Sequence, residues 1–249
     1  MKPGSSPTPV SAGRPPRRRR GPLPFVLINM AMTADGKIAT ANRRVSSFGS
    51  ARDREHLYEL RATADAVMAG ARTLDLNEVH LGSGGVRFER ERLRHGLQKH
   101  NLRIVVSGSG TIRPGSAIFR HRFAPILVLT TARVRPARLR LLQALADEVL
   151  VCGEEELDLA TAFAELRRKW KVKRLLCEGG GELNAALFRA RLVDEVHLTI
   201  CAKVFGGSLA PTIAEGVGVR RLADAVTMRL VSARQMGPEL FARFKVQSK

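Results

Sequence analysis

The sequence has few cysteines and no long apolar run. Three cysteines occur in 249 residues, at Cys152, Cys177 and Cys201, each within a short apolar stretch and without a C-x-x-C pair. Three scattered thiols form a poor disulfide framework and show no zinc-ligand spacing, so we expect buried thiols, no metal and a cytoplasmic protein. No apolar run approaches the roughly 18 residues that cross a bilayer, and the N-terminus lacks the apolar segment of a signal peptide, so we expect no membrane contact.

Acidic residues are also scarce. The chain has 23 Asp and Glu against 42 Lys and Arg, which gives a net charge of +19. Such an excess of cations attracts anions, either phosphorylated metabolites or nucleic acid, and the sign of the charge alone does not choose between them.

The first 24 residues hold six of these cations, including the run Arg17 to Arg20, and no acidic residue. They are rich in Pro, Gly and Ser and too poor in apolar residues to bury a core. We therefore expect residues 1–24 to be a disordered basic tail and residues 25–249 to form the folded domain. The arginine run has no interleaved aromatic residues, so a solvated tail explains it better than a nucleic-acid contact, which stays open.

From Phe25 onwards, short apolar runs alternate with amphipathic stretches. This alternation predicts an α/β fold with a mostly parallel sheet covered by helices on both faces. Two apolar runs near the C-terminus, broken at Gly237-Pro238, predict an antiparallel hairpin at the sheet edge. The segment 77–98, with Gly82 to Gly85 and many charges, is expected to be irregular. The predicted strands are 25–32, 66–69, 102–106, 126–129, 148–151, 174–177 and 193–200, and the predicted helices are 51–62, 139–146, 159–170 and 182–189.

Ligands of parallel sheets bind at the carboxyl ends of the strands, so the loops that follow strands are the candidates for a site. The clearest is Glu178-Gly179-Gly180-Gly181-Glu182-Leu183-Asn184, between a predicted strand and a predicted helix. Glycines without Cβ atoms at a helix start can cradle a pyrophosphate, but they also suit a tight turn where helix and sheet pack closely.

Two weaker candidates follow other strands. Gly70-Ala71-Arg72-Thr73 offers a glycine, a charge and a hydroxyl for a phosphate, although by itself an ordinary helix N-terminus explains it better. Thr33-Ala34-Asp35-Gly36-Lys37 contains a common turn pair, and a functional role would need Asp35 to bond an amino-substituted ring or a ribose hydroxyl.

Taken together and in this order, these segments resemble the reductase family of riboflavin biosynthesis, which has the dihydrofolate reductase-like fold. The likeness is greatest to the archaeal stand-alone diaminopyrimidinone 5′-phosphate reductases. The residues that carry it are 29–37, 60–62 with Asp65, 70–73, 103–107, 151–153, 178–184, 192–195, 203–207 and 210–212.

The resemblance implies NADPH as cofactor, a phosphorylated small-molecule substrate and a homodimer. It places the cofactor on Thr73, Asn77, Ser107, Gly153, Gly179, Gly180, Gly181, Glu182, Leu183 and Asn184. It places the substrate on Asp35, Ser47 (with Ser46), Arg61 and Glu178, with Arg61 as a forked donor to the 5′-phosphate.

The implied reaction is hydride transfer to the ribose C1′, which opens the sugar to a ribitylamino chain. The proton would come from Asp35 or Glu178, if burial raises the pKa of that carboxyl, or from solvent. The chain departs from the family at Asn77, where an Asp is common, and at Ala202, where a Pro is common. The H-x-E and P-C-x-x-C signature of the zinc deaminases is absent, so we expect reduction only.

Two other hypotheses stay open. One keeps the fold and cofactor and changes the substrate to a pterin, a folate or a secondary metabolite. The other is a nucleic-acid-binding protein on a reductase scaffold, which the lack of aromatic residues among the basic runs disfavours. The sequence does not separate diaminopyrimidinone from aminouracil substrates.

Overall fold

The computed structural model describes residues 22–43 and 48–247. Most of the predicted tail, residues 1–21, and the substrate candidates Ser46 and Ser47 lie outside the described residues. The strands are β1 Phe25–Thr33, β2 Ala66–Gly70, β3 Leu102–Val106, β4 Ile126–Thr130, β5 Glu148–Val151, β6 Arg174–Cys177, β7 Glu195–Cys201, β8 Met228–Met236 and β9 Glu239–Val246. The helices are α1 Ala51–Thr63, α2 Ala71–Leu76, α3 Val86–Arg94, α4 Ala117–Arg120, α5 Pro136–Leu145, α6 Leu159–Lys169 and α7 Gly181–Arg189.

All nine strands form one sheet in the order β5-β4-β3-β2-β6-β1-β7-β9-β8. Strands β1 to β7 pair in parallel, and β9 pairs antiparallel with both β7 and β8. The predicted α/β fold with a C-terminal antiparallel hairpin is therefore confirmed. Because the carboxyl ends of the parallel strands meet along one edge, the loops that follow β1, β2, β3, β4 and β6 meet there too.

The two faces of the sheet bury separate apolar clusters. Phe163 and Leu187 pack from α6 and α7 against one face, and Leu60 and Leu142 pack from α1 and α5 against the other. The cysteines Cys152, Cys177 and Cys201 are buried and free. Burial raises the pKa of the Cys177 and Cys201 thiols to about 12.

The prediction that 77–98 is irregular is wrong, because α3 lies within it. Only Phe88 and Arg92 of this helix are buried. The Arg92 guanidinium fills its site by donating to the Arg61 and Ala64 carbonyls, at 2.6 Å each. Helices are predicted from apolar residues that recur every three or four positions, and an arginine at a core position interrupts this pattern. The short helix α4 was not predicted either.

Candidate active site

A cleft of about 750 Å³ opens at the carboxyl edge of the parallel strands. This volume is typical of small-molecule sites. We call the part lined by 70–77, 107–111 and 180–183 the glycine half, and the part lined by Asn29, Ala31, Asp53, Leu57 and Glu178 the α1 half. The two halves are continuous, so two ligands can lie end to end in one cleft.

The glycine half is built where β6 turns into α7. Gly180 precedes the first turn of α7 and Gly181 begins it, and both line the cleft. A Cβ on Gly181 would collide with the Thr212 carbonyl oxygen and lie 2.7 Å from the Glu215 Cγ. The Gly70 amide donates to the Gly179 carbonyl at 2.8 Å. Gly180 and Gly181 thus place backbone without side chains at a helix N-terminus that lines the cleft, and the close packing of Gly181 against the segment 211–215 requires a glycine there.

Three predicted cofactor residues line the glycine half with suitable polar atoms. Thr73 and Ser107 lie on either side of it, and the Ser107 hydroxyl accepts the Thr111 amide at 3.0 Å. Asn77 donates through Nδ2 to the Thr73 carbonyl at 2.8 Å, while its Oδ1 is buried without a protein partner. A buried acceptor without a partner is costly, so a ligand donor is expected there. Glu182 and Leu183 also line the cleft.

Three other predicted cofactor residues do not line the cleft. Asn184 is 0% exposed, and its Nδ2 donates to the Ile213 carbonyl at 2.8 Å, so it anchors the segment 211–215 over α7. Gly153 has a φ of +90°, and a Cβ there would lie 2.9 Å from the Asp158 amide nitrogen, so it is a turn glycine. Gly179, with a φ of +81°, packs against Met30 behind the cradle.

Arg61 and Glu178 form a bidentate ion pair at the α1 half. Arg61 Nε contacts Glu178 Oε1 and Arg61 Nη2 contacts Oε2, each at 2.6 Å, and Arg61 Nη1 donates to the Gly82 carbonyl. Burial disfavours the charged guanidinium, but the Glu178 charge outweighs it and raises the pKa of Arg61. Glu178 lines the cleft and Arg61 lies behind it. The Arg61 guanidinium, which we expected to bind the substrate phosphate, thus binds the Glu178 carboxylate instead.

Asp35 lies outside the cleft. Its carboxylate accepts the Thr33 hydroxyl at 2.5 Å, the Gly206 amide at 2.7 Å and the Phe205 amide at 3.2 Å. The Thr33 hydroxyl is the main cause that lowers the pKa of Asp35, and the two amides add to it. Asp35 could act as a proton donor only if burial raised its pKa. This condition is not met, because the carboxylate is exposed and accepts three hydrogen bonds.

Comparison with known proteins places this fold and cleft in a family. Residues 24–242 match the model of the RibD C-terminal domain. The chain belongs to the RibD C-terminal domain family. It is 30% identical over 224 residues to the 2,5-diamino-6-ribosylamino-4(3H)-pyrimidinone 5′-phosphate reductase of Methanothermobacter thermautotrophicus, covering 90% of this chain and 99% of that protein.

Two further relatives extend this comparison. The enzyme of the same name from Aquifex aeolicus is 27% identical over 230 residues, covering 91% of this chain and 98% of that protein. The crystal structure of a pyrimidine reductase-like protein from Corynebacterium diphtheriae superposes with a TM-score of 0.77 at 21% identity, covering 91% of this chain and 93% of that one. This last likeness concerns the fold.

In this RibD C-terminal domain, sequence reasoning missed residues of the α1 half. Asn29 on β1 is 7% exposed, lines the cleft and has a buried Oδ1 without a protein partner. Asp53 also lines the cleft, from the first turn of α1. In the sequence, Asn29 is one residue of an apolar strand and Asp53 is an ordinary acid at a helix start, so neither gives a local signal.

Within 22–43 and 48–247, no group of three or more His, Cys, Asp or Glu side chains is placed to hold a metal ion. In the same residues, no helix has the length and apolar character to cross a membrane.

Proposed function

We propose that this RibD C-terminal domain protein is an NADPH-dependent reductase of riboflavin biosynthesis. It converts the ribosylamino group of a pyrimidine 5′-phosphate to a ribitylamino group. The observation that carries the proposal is the single cleft in which the backbone cradle of Gly180 and Gly181 is continuous with the Arg61–Glu178 pair. The printed names of the two reductases to which the chain is 27% and 30% identical support the substrate class.

The glycine half fits a dinucleotide. Main-chain amides at Gly180 and Gly181 suit a diphosphate, and the Asn77 Oδ1 supplies an acceptor that lacks a protein donor. Arg133, Ser109 and Thr111 line the same cleft and offer a cation and two hydroxyls that suit the additional phosphate of NADPH. When bound, the reduced nicotinamide supplies the hydride.

The α1 half fits an amino-substituted ring. Glu178 faces the cleft with both oxygens fixed by Arg61, so it accepts from ring amino or imino groups in one defined orientation. Arg61 acts as the residue that positions Glu178. Asn29 adds an amide with a free acceptor. Arg43, which pairs with Glu215 at 3.3 Å, provides a cation at the cleft for the 5′-phosphate.

We also propose a homodimer in the cytoplasm. The segment 204–226 and β8, the outermost strand, carry many exposed apolar side chains, and Leu222 and Val217 are 91% and 87% exposed. Such a surface on an unpaired sheet edge is typical of a protein interface, and a second copy of this chain is the partner we propose. Three free buried thiols suit a reducing compartment.

The test is NADPH oxidation by the purified chain with diaminopyrimidinone and aminouracil ribosylamino 5′-phosphates, followed by absorbance and by mass spectrometry of the ribitylamino product. Turnover of one or both confirms the function and ranks the two substrates. Turnover of dihydrofolate or a dihydropterin, with neither phosphate used, would replace this substrate class by the alternative one. Salt-sensitive binding of nucleic acid that survives mutation of the glycine loop, with no turnover, would overturn the enzyme assignment.

A further inference from the structure

Asp53 occupies an unusual position in the α1 half of the cleft. Its backbone amide donates to the Ser50 hydroxyl at 3.2 Å, and Ser50 is the N-cap residue of α1. Gly49 lies against its carboxyl group, and a Cβ there would come within 2.8 Å of the Asp53 Cγ. The carboxyl group is partly buried at the wall of the cleft, and Thr199 on β7 is among the groups that influence its pKa.

The other carboxylates of the cleft are all paired with arginine. Glu155, Glu156, Glu178, Glu182 and Glu215 each have an arginine nitrogen within 2.6 to 3.8 Å. A carboxylate that is engaged by a guanidinium acts only as an acceptor of hydrogen bonds. Within the described residues, Asp53 is the cleft carboxyl without an arginine or lysine partner.

A second carboxylate behind Asp53 favours its protonated form. Glu239 on β9 is buried and accepts the Ser50 amide at 2.7 Å, the Ser50 hydroxyl at 2.5 Å and the Cys201 thiol at 3.5 Å. Each of these three contacts donates a hydrogen bond to the Glu239 carboxylate. Burial and this neighbouring charge raise the pKa of Asp53, against the opposing effects of the Thr199 hydroxyl and of His56 on α1. Cys201 on β7 and Lys203 after it are the other titratable groups beside this pair.

The proposed reduction needs a proton as well as a hydride. The C1′ to ring-oxygen bond of the ribose breaks, the hydride adds to C1′, and the ring oxygen takes up a proton to become a hydroxyl group. On the proposed function, on which this inference rests, we infer that Asp53 is the general acid that gives its carboxyl proton to the ring oxygen from the α1 side of the cleft. Solvent then reprotonates the carboxylate.

The decisive variants are Asp53→Asn, Glu239→Gln and the control Glu55→Gln, which removes a carboxylate from α1 outside the cleft. Asp53→Asn should lower kcat at least about 100-fold, the usual contribution of general acid catalysis. It should leave the Kd for NADPH, measured by nicotinamide fluorescence, within twofold. Glu239→Gln should move the alkaline limb of the kcat profile to lower pH by roughly half a unit or more, because a neighbouring like charge is removed. Glu55→Gln should leave that limb in place.

The outcomes separate this inference from the proposed function. Suppose that the wild-type chain turns over substrate. If the kcat of Asp53→Asn is then within threefold of the wild-type kcat, or if Glu239→Gln does not shift the alkaline limb of the kcat profile, the role of Asp53 is overturned and the proposed function stands. A wild-type chain that reduces neither phosphate overturns the function. Carbon-13 NMR of the Asp53 carboxyl then tests the acid directly, and a titration at or below the ordinary range of Asp overturns it whatever the substrate.

Discussion

Glu178 and Arg61 are 117 residues apart in the chain and form a bidentate ion pair at the carboxyl edge of the sheet. The pair joins the loop after β6 to helix α1. It is buried, so both partners are needed to satisfy each other, and removing either leaves a desolvated charge.

Replacement of Arg61 by Lys should therefore be costly. A lysine reaches one Glu178 oxygen and cannot also bond the Gly82 carbonyl. We expect Arg61→Lys to lower the free energy of unfolding by about 1–3 kcal/mol and to lower kcat/KM as Glu178 loses its orientation. Urea unfolding and steady-state kinetics measure the two effects. Arg168→Lys, at the exposed pair with Glu165 on α6, should leave the stability almost unchanged, because exposed ion pairs contribute little. An Arg61 variant as stable as this control would contradict the prediction.

The cradle makes a separate prediction for cofactor binding. In Gly181→Ala the new methyl group must displace the Thr212 carbonyl or the Glu215 side chain, because the backbone there is already in contact. We expect the Kd for NADPH to rise at least about tenfold, or about 1.4 kcal/mol. Gly115→Ala is the matched control, since a Cβ at that position meets no atom within 4 Å. Equal affinities of the two variants would show that the cradle does not hold the diphosphate.

Arg103 should be a major contributor to stability. Its side chain is fully buried on β3 and donates to the Ile118 carbonyl at 3.1 Å, to the His121 carbonyl at 2.5 Å and to the Ala124 carbonyl, with its Cζ 4.2 Å from the centre of the Phe123 ring. Burial, with the charge of Arg122 adding to it, lowers the pKa of Arg103 to about 10, so the side chain stays charged at neutral pH.

Replacing Arg103 by Met would leave these buried carbonyls without donors. We expect Arg103→Met to lose at least about 3 kcal/mol of unfolding free energy. Exposed Arg140→Met should stay within about 0.5 kcal/mol of wild type. Thermal and urea denaturation measure both variants, and a small loss at Arg103 would mean that water replaces the guanidinium.

The thiols should be unreactive in the folded chain. Burial raises the pKa of Cys177 and Cys201 to about 12 and also raises the pKa of Cys152. Since the thiolate is the nucleophile, a thiol reagent at neutral pH should label the native chain very slowly and all three cysteines after unfolding. Rapid labelling of the native chain at any cysteine would contradict the burial described here.

The exposed apolar segment should be covered by a second copy. Light scattering after size exclusion should give the mass of a dimer for the wild-type chain and of a monomer for Val217→Glu with Leu222→Glu. Val86→Glu, an exposed apolar position on α3, should remain dimeric. A monomeric wild-type chain at micromolar concentration would overturn the proposed homodimer.

Much of the fold could be predicted because buried parallel strands are continuous apolar runs bounded by turn residues. Leu102–Val106, Glu148–Val151 and Arg174–Cys177 have the predicted bounds. The helix α3 could not be predicted, because its inward side chain Arg92 is held by the Arg61, Ala64 and Gln98 carbonyls, which only the folded chain brings near.

The site divides in the same way. The glycine loop is a local motif, and the sequence indicated its place between a strand and a helix at the carboxyl edge of the sheet. Asp53 depends on Glu239 and Thr199, which come from strands distant in sequence, so its environment is invisible before folding. The opposite error occurred at Asp35. Its local motif suggested a ligand contact, but its carboxylate accepts hydrogen bonds from the backbone amides of Phe205 and Gly206.

The segment 211–215 is fastened to the start of α7 from two sides, by Asn184 on Ile213 and by the Glu215 amide on the Gly181 carbonyl. The same segment lies within the stretch 204–226 that we propose as part of the subunit contact. A ligand that binds the dimer more tightly than the monomer at Gly181 must, by thermodynamic reciprocity, strengthen subunit association by the same factor. For the homodimer that we propose, cofactor titrations should therefore depend on protein concentration, and the size of that dependence should measure the coupling between Gly181 and the subunit contact.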